Sequence, residues 1–124
     1  MNDFQHPAAV VQRQLDAYNA RDVDAILATY AGDARQFEHP GTLVAAGAAQ
    51  IRARMALRFE EPSLHARLVQ RSVMGNLVID HEVVTRDFPE GPGTLELVAI
   101  YEVRDGKIQS ATVHASNKQL HGGA

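Results

Sequence analysis

The chain has 124 residues, 45% of them hydrophobic and 22% charged, which bounds it to one globular domain able to bury a core without staples. A net charge of −3 supplies no basic footprint for nucleic acid, and the absence of cysteine excludes disulfides, thiolate catalysis and cysteine-ligated zinc. No apolar run approaches the roughly 18–20 residues of a membrane span. The opening MNDFQHPAAV has no basic region followed by an apolar stretch, so a cytoplasmic protein without membrane contact is expected.

Residues 7–20 read as a first helix. Pro7 suits the first turn, where its missing N–H costs nothing, and Val10, Val11, Leu15 and Tyr18 recur on one stripe. Asp22 is placed to cap a second helix over about 23–30, which buries Val23, Ile26, Leu27 and Tyr30 and stops at Gly32. A short strand follows over 34–39, ended by Pro40. A third helix spans about 46–59, with Ile51, Met55 and Phe59 four apart on one face, and Glu60-Glu61-Pro62 end it.

The second half alternates with period two. Strands are expected over 64–74, 76–87, 94–104 and 107–116. Leu95, Leu97, Ala99, Tyr101 and Val103 make one apolar face, and Leu77, Ile79, His81 and Val83 make the odd face of the preceding strand. RDFPEGPG, residues 86–93, is a turn-rich connection, Arg104-Asp105-Gly106 a tight hairpin, and 117–124 a polar tail expected to fray. Helices followed by a run of antiparallel strands define an α+β fold. The curved sheet wraps three N-terminal helices as a cone with an internal pocket, and no second domain is indicated.

AVVQRQLDAYNARDVDAILATYAGDA, residues 9–34, closely resembles the opening of bacterial ketosteroid isomerases, and YEVRDGKI, residues 101–108, is similar to the closing hairpin of the wider nuclear-transport-factor-2-like superfamily, which includes the SnoaL-like polyketide cyclases. The resemblance implies a cone-shaped barrel with a deep, mostly apolar pocket, commonly a dimer packed through the sheet. It leaves activity open, since this fold hosts isomerases, hydrolases, cyclases, dehydratases and binding modules. In the isomerases a tyrosine on the first helix and a protonated aspartic acid on a late strand receive the developing enolate. The resemblance places Gln14 and Ala99 at those positions, and Glu38 or His39 near the general base. Loss of one such donor costs about 100- to 1,000-fold, which argues against ketosteroid isomerase activity.

His39, stiffened by Pro40 in QFEHPGT, is the first acid–base candidate because imidazole titrates near neutral pH. If the segment is extended, Glu38 and His39 face opposite ways. His81 is the second candidate: if odd residues pair with odd, it falls across from Ala99 and near Tyr101. Asp80 and Glu82 share the other face, as a carboxylate pair in the pocket or as a solvated surface, so at most one of the two sets lines the cavity. Glu82 joins His39 and His81 as a catalytic candidate. Gln14, Tyr18, Tyr30, Phe37, Met55, Phe59, Ala99 and Tyr101 are the expected ligand-binding walls, with plain core as the bland alternative. No His-rich spacing marks a metal site, no glycine loop marks a phosphate site, and no nucleophile elbow is present, so no cofactor is expected.

The resulting expectation is a cofactor-independent isomerase, cyclase or dehydratase on a small apolar molecule. The alternative is a non-catalytic module that binds a hydrophobic ligand or dimerises. A homodimer through the sheet is expected in either case.

Overall fold

The computed structural model describes residues 6–122. Its elements are α1 (Pro7–Ala20), α2 (Val23–Leu27), β1 (Tyr30–Glu38), β2 (Thr42–Ala46), α3 (Ala48–Arg58), β3 (His65–Met74), β4 (Leu77–Phe88), β5 (Gly91–Arg104) and β6 (Lys107–Leu120). The strands form one six-stranded sheet in the order β2-β1-β6-β5-β4-β3. It is an unclosed α+β cone with the helices covering its concave face.

α1 takes the bounds the sequence indicates. His6 Nδ1 accepts from the backbone N–H of Ala8 at 3.1 Å, Pro7 sits in the first turn, and Arg21 ends the helix in the left-handed region at φ 55°. Arg21 then donates to the carbonyls of Glu61, Pro62 and Leu64, at 3.1, 2.7 and 3.1 Å. Asn19 behaves as a strand edge: its side chain donates to Ala66 O at 2.9 Å and accepts from Ala66 N–H at 2.8 Å. These bonds fix the helical layer against the start of β3.

α2 is capped by Asp22, which accepts from Ala25 N–H at 3.0 Å, but it stops at Leu27 rather than near residue 30. Thr29 closes it by donating its hydroxyl to Ile26 O at 2.6 Å, while Ile108 N–H bonds Thr29 O at 2.8 Å and draws the chain into the sheet. β1 therefore begins at Tyr30, and Gly32 lies inside a strand instead of ending a helix. β2 was not expected. TLVAA lacks clean alternation and is a five-residue edge strand, held by pairing with β1 across a bulge at Gln36/Phe37. One pairing also departs from an antiparallel sheet, because β1 runs parallel to β6. β6 continues through Leu120, pairing Gln119 with Thr94 and Leu120 with Gly93, so 117–120 are strand. Residues 123–124 of the expected fraying tail lie outside the described residues.

The hairpin turns match their residues. Asp105 (φ 53°) and Gly106 (φ 72°) both take positive φ, the requirement of a tight two-residue turn with the right twist. Gly93 is needed for close approach: a Cβ there would lie 2.3 Å from Gln119 O. Bulges at Leu68/Gln70 in β3 and at Thr94/Glu96 opposite β6 bend the sheet around the helices.

The core sits between sheet and helices. Val10, Val11, Ile26, Ile51, Val78 and Ile108 are all fully buried in one cluster, each side chain contributing about 1.5–3 kcal/mol of burial. A second cluster of Leu15, Leu64, Ala66 and Val84 closes the other end of α1. Tyr18 and Phe59 pack against both clusters and edge-to-face on each other, with centroids 5.6 Å apart. Among the described residues, no helix is long and apolar enough to cross a membrane.

Candidate functional site

Between α1, α3 and the sheet lies an inner chamber of about 80 Å³, adjoined by an outer chamber of about 290 Å³. Tyr18, Arg54, Arg58, Val84, Leu97 and Val113 border both. Pockets for small organic ligands run to roughly 300–1,000 Å³, so a molecule of that size would extend through both chambers.

The register of β4 against β5 decides which carboxylate or imidazole the inner chamber receives. Phe88 pairs with Gly91 across only Pro89 and Glu90, so every even residue of β4 meets an odd residue of β5. Asp80 is opposite Ala99 and Glu82 opposite Leu97. The even face of β4 thus joins the apolar odd face of β5 inside the cone. His81, expected opposite Ala99, instead pairs with Val98 on the outer face. Its Nε2 lies 3.4 Å from the carboxylate of Glu96, with the imidazole 39% exposed. The shift arises because the turn holds an even number of residues, Pro89 and Glu90; a connection of odd length would be needed to set His81 across from Ala99.

Asp80 is fully buried and Glu82 only 4% exposed, yet their surroundings differ. Arg71 grips Asp80 with two bonds, Nε to Oδ1 at 2.7 Å and Nη2 to Oδ2 at 2.9 Å, and donates a third to Gln12 Oε1 at 2.9 Å. Glu82 lines the inner chamber, and no hydrogen bond reaches its carboxyl from the described residues. Burial disfavours its charged form, and the negative charge of Asp80 adds to this. Arg71 offsets only part, and the Glu82 pKa is pushed up to about 7. A carboxyl poised near neutrality in a cavity can both accept and return a proton.

Opposite Glu82 runs a polar chain. Arg54 donates Nη1–H to Gln36 Oε1 at 2.8 Å, and Gln36 donates Nε2–H to the Tyr30 hydroxyl at 3.2 Å. Since arginine can only donate, the Gln36 amide is oriented with its NH₂ toward Tyr30. Tyr30 accepts through its oxygen, so its own O–H remains available to the chamber it lines. Burial raises the Tyr30 pKa to about 12, with the Gln36 bond and the Arg54 charge opposing the rise. Across the cavity Tyr101 O–H bonds Gln14 Oε1 at 3.3 Å, and burial holds the Tyr101 phenol well above its ordinary value.

The expected walls separate into two groups. Gln14, Tyr18, Tyr30, Phe37, Met55 and Tyr101 border the inner chamber. Phe59 stands behind Tyr18, and Ala99 is buried against Asp80 in the core; neither borders a chamber. His39 is exposed and borders the outer chamber, 5.7 Å from His114 in an edge-to-face contact, and so is not beside Glu82. Glu38 borders the outer chamber as well. The alternation expected of Glu38 and His39 fails because β1 ends at Glu38 and His39 belongs to the turn, its N–H bonded to Val113 O at 2.9 Å.

Gln36, Arg54 and Arg58 were not anticipated. A signal for the arginines was present: they are four apart and flank the Ile51–Met55–Phe59 stripe of α3, where long cationic side chains lie along an apolar edge. Gln36 could not be placed without the parallel pairing of β1 on β6. Among the described residues no group of three or more His, Asp or Glu side chains is placed to share a metal ion.

Residues 11–111 match the model of the SnoaL-like domain. No curated protein matches the chain. Among solved structures, an uncharacterized cystatin-fold protein from Novosphingobium aromaticivorans is 26% identical, with a TM-score of 0.81 over 86% of this chain and 96% of that one. A provisionally named polyketide cyclase from Sinorhizobium meliloti is 27% identical, with a TM-score of 0.69 over 84% and 92%. An LEH-like epoxide hydrolase from M. tuberculosis shares the fold at 14% identity, with a TM-score of 0.77 over 89% and 82%.

Proposed function

The chain belongs to the SnoaL-like domain family of the nuclear-transport-factor-2-like superfamily, and from that premise we propose that it is a cofactor-independent acid–base enzyme acting on a small, largely apolar molecule. Glu82 is the group that moves the proton. The observation that carries this reading is a buried carboxyl, poised near neutrality, with no hydrogen-bond partner among the described residues, in the wall of a cavity.

In its ionised form Glu82 removes a proton from a carbon next to a carbonyl. The electron pair of that C–H bond moves into an enolate, and the charge develops on the carbonyl oxygen. Tyr30 O–H donates to that oxygen, polarised through Gln36 by the Arg54 guanidinium. Protonated Glu82 then returns the proton to a second carbon, which isomerises the substrate, or to a departing hydroxide, which dehydrates it. In a cyclisation the enolate carbon attacks a second carbonyl, and Glu82 protonates the new alkoxide. A structural neighbour named as a polyketide cyclase is consistent with this class of chemistry. Tyr30 occupies the role that the Gln14 position does not supply, so a hydroxyl donor is available despite the departure from the isomerase pattern.

The test is hydrogen–deuterium exchange at the α-carbon of a panel of cyclic ketones, β-diketones and enones in D₂O, followed by NMR. Exchange catalysed by the wild type and lost in Glu82→Gln supports the reading. Saturable binding of panel members with no exchange above the Glu82→Gln background overturns it in favour of a ligand-binding module. The same reading includes a cytoplasmic homodimer packed through the outer sheet face, where Val98 and Ile100 are 38% and 39% exposed. Sedimentation that returns a monomer at micromolar concentration removes that part.

A further inference from the structure

Arg54 and Arg58 stand one turn apart on α3, and both border the junction of the two chambers. Neighbouring cationic side chains in a cavity wall repel each other, and burial removes the water that would screen them. A domain normally answers such a pair with ion-paired carboxylates, but here Glu38 attracts Arg54 only from beyond ion-pair distance, and Glu61 is committed elsewhere. Glu61 is held bidentately by Arg86, with both bonds at 2.7 Å, and also accepts from Asp87 N–H at 2.9 Å. Arg58 reaches the same carboxylate only at 3.7 Å. Among the described residues no carboxylate lies within ion-pair distance of Arg54, whose side-chain bond to Gln36 leaves most of its five donors for the cavity. Arg54 is accordingly lowered in pKa, first by burial and then by Arg58. Glu82 in the inner chamber and Glu38 in the outer one line the cavity with the two guanidiniums, and among the described residues neither is within ion-pair distance of them.

We propose that Arg54 and Arg58 form an anion clamp, and that the substrate is an apolar molecule bearing a carboxylate, held at the junction of the chambers with its reacting carbon toward Glu82. A carboxylate offers two acceptor oxygens to the unpaired donors of two guanidiniums. Tyr18, Leu97 and Val113, which border both chambers, supply the apolar contact between the charged end and the reacting end. The inference rests on the reading of this cavity as the substrate site.

The experiment compares matched acids and amides, 2-naphthoate with 2-naphthamide and cinnamate with cinnamamide, binding to the full chain by calorimetry and protein-observed NMR. The acid of each pair is expected to bind about tenfold more tightly, the difference between charge-assisted and neutral hydrogen bonds. The preference should shrink as salt is raised. Arg54→Gln and Arg58→Gln should each remove most of it while leaving the amides unchanged. Arg52→Gln, an exposed arginine on the same helix paired with Asp24 at 2.7 Å, should leave it intact. Equal affinity for acid and amide overturns the clamp, as does no binding by either acid at millimolar concentration, or a preference that survives in the Arg54→Gln/Arg58→Gln double variant. The two proposals fail separately. Acid preference without exchange on the carbonyl panel leaves the clamp standing and removes the catalytic role of Glu82; exchange without acid preference does the reverse.

Discussion

Two carboxylates two residues apart on one strand face, Asp80 and Glu82, have been given opposite surroundings. At the Asp80 end the cone is closed by Arg71, which satisfies both carboxylate oxygens and reaches on to Gln12 of α1. At the Glu82 end the sheet opens into a cavity, where the charge of Asp80 disfavours ionisation of Glu82 and that of Arg71 favours it. Burial is nearly equal, so burial alone does not separate a structural acid from a reactive one. The hydrogen-bond partners do. A paired carboxylate spends its charge holding helix to sheet; an unpaired one keeps its charge for whatever enters the cavity.

The largest test of that contrast is Glu82→Gln, which removes the proton carrier but keeps the shape. We expect α-carbon exchange to fall about 100- to 10,000-fold, measured at substrate saturation. Arg71→Met attacks the other end. It leaves Asp80 buried without its cation and should cost roughly 3–5 kcal/mol in denaturant unfolding. The same variant should raise the Glu82 pKa further, because Arg71 is the group that lowers it, as read by ¹³C-carboxyl NMR.

The pH dependence of stability sharpens the comparison. Glu82 titrates near 4.5 in the unfolded chain and about 7 in the folded protein, so the folded state holds the proton more tightly. Its contribution to stability is fully present below pH 4.5 and is lost as pH rises through about 7. Above that value Glu82→Gln should be more stable than the wild type by roughly 3 kcal/mol, at about 1.4 kcal/mol per pKa unit, and the gain should vanish below pH 4.5. An activity loss joined to a stability gain at high pH would identify Glu82 as a group kept for chemistry. Tyr30→Phe should lower exchange roughly 10- to 100-fold, toward the low end of what a lost oxyanion donor costs, since Arg54 and Gln36 remain. His81→Ala, on the far face of the same strand, should leave exchange unchanged and alter stability by less than about 0.5 kcal/mol, because the His81–Glu96 pair is exposed.

Much of this contrast could be foreseen in kind but not in place. The alternation of β4 put Asp80 and Glu82 on one face and His81 on the other, so that only one set could enter the cavity. Which set does so depended on a turn. RDFPEGPG offers two prolines and two glycines as possible corners, and lengthening the turn by one residue exchanges the faces. β2 escaped notice for a related reason: TLVAA pairs because β1 bulges beside it, and its own residues carry little period. Arg54 and Arg58 were readable as a cationic edge on α3, but a helix wheel cannot say that no carboxylate faces them.

The sequence by itself determined the α+β order, the exact span of α1, the apolar face of β5 and the family likeness, because these depend on local period, capping and turn residues acting over a few positions. Only the tertiary structure decided that Glu82 rather than His81 faces the cavity, that Arg71 bonds Asp80 and not Glu82, and that Tyr30, Gln36 and Arg54 share the cavity wall with Glu82. Those outcomes depend on strand register and on contacts between residues such as Gln12 and Arg71, far apart in the chain. No local pattern encodes them, since the charge environment of a buried group is the sum of everything packed around it.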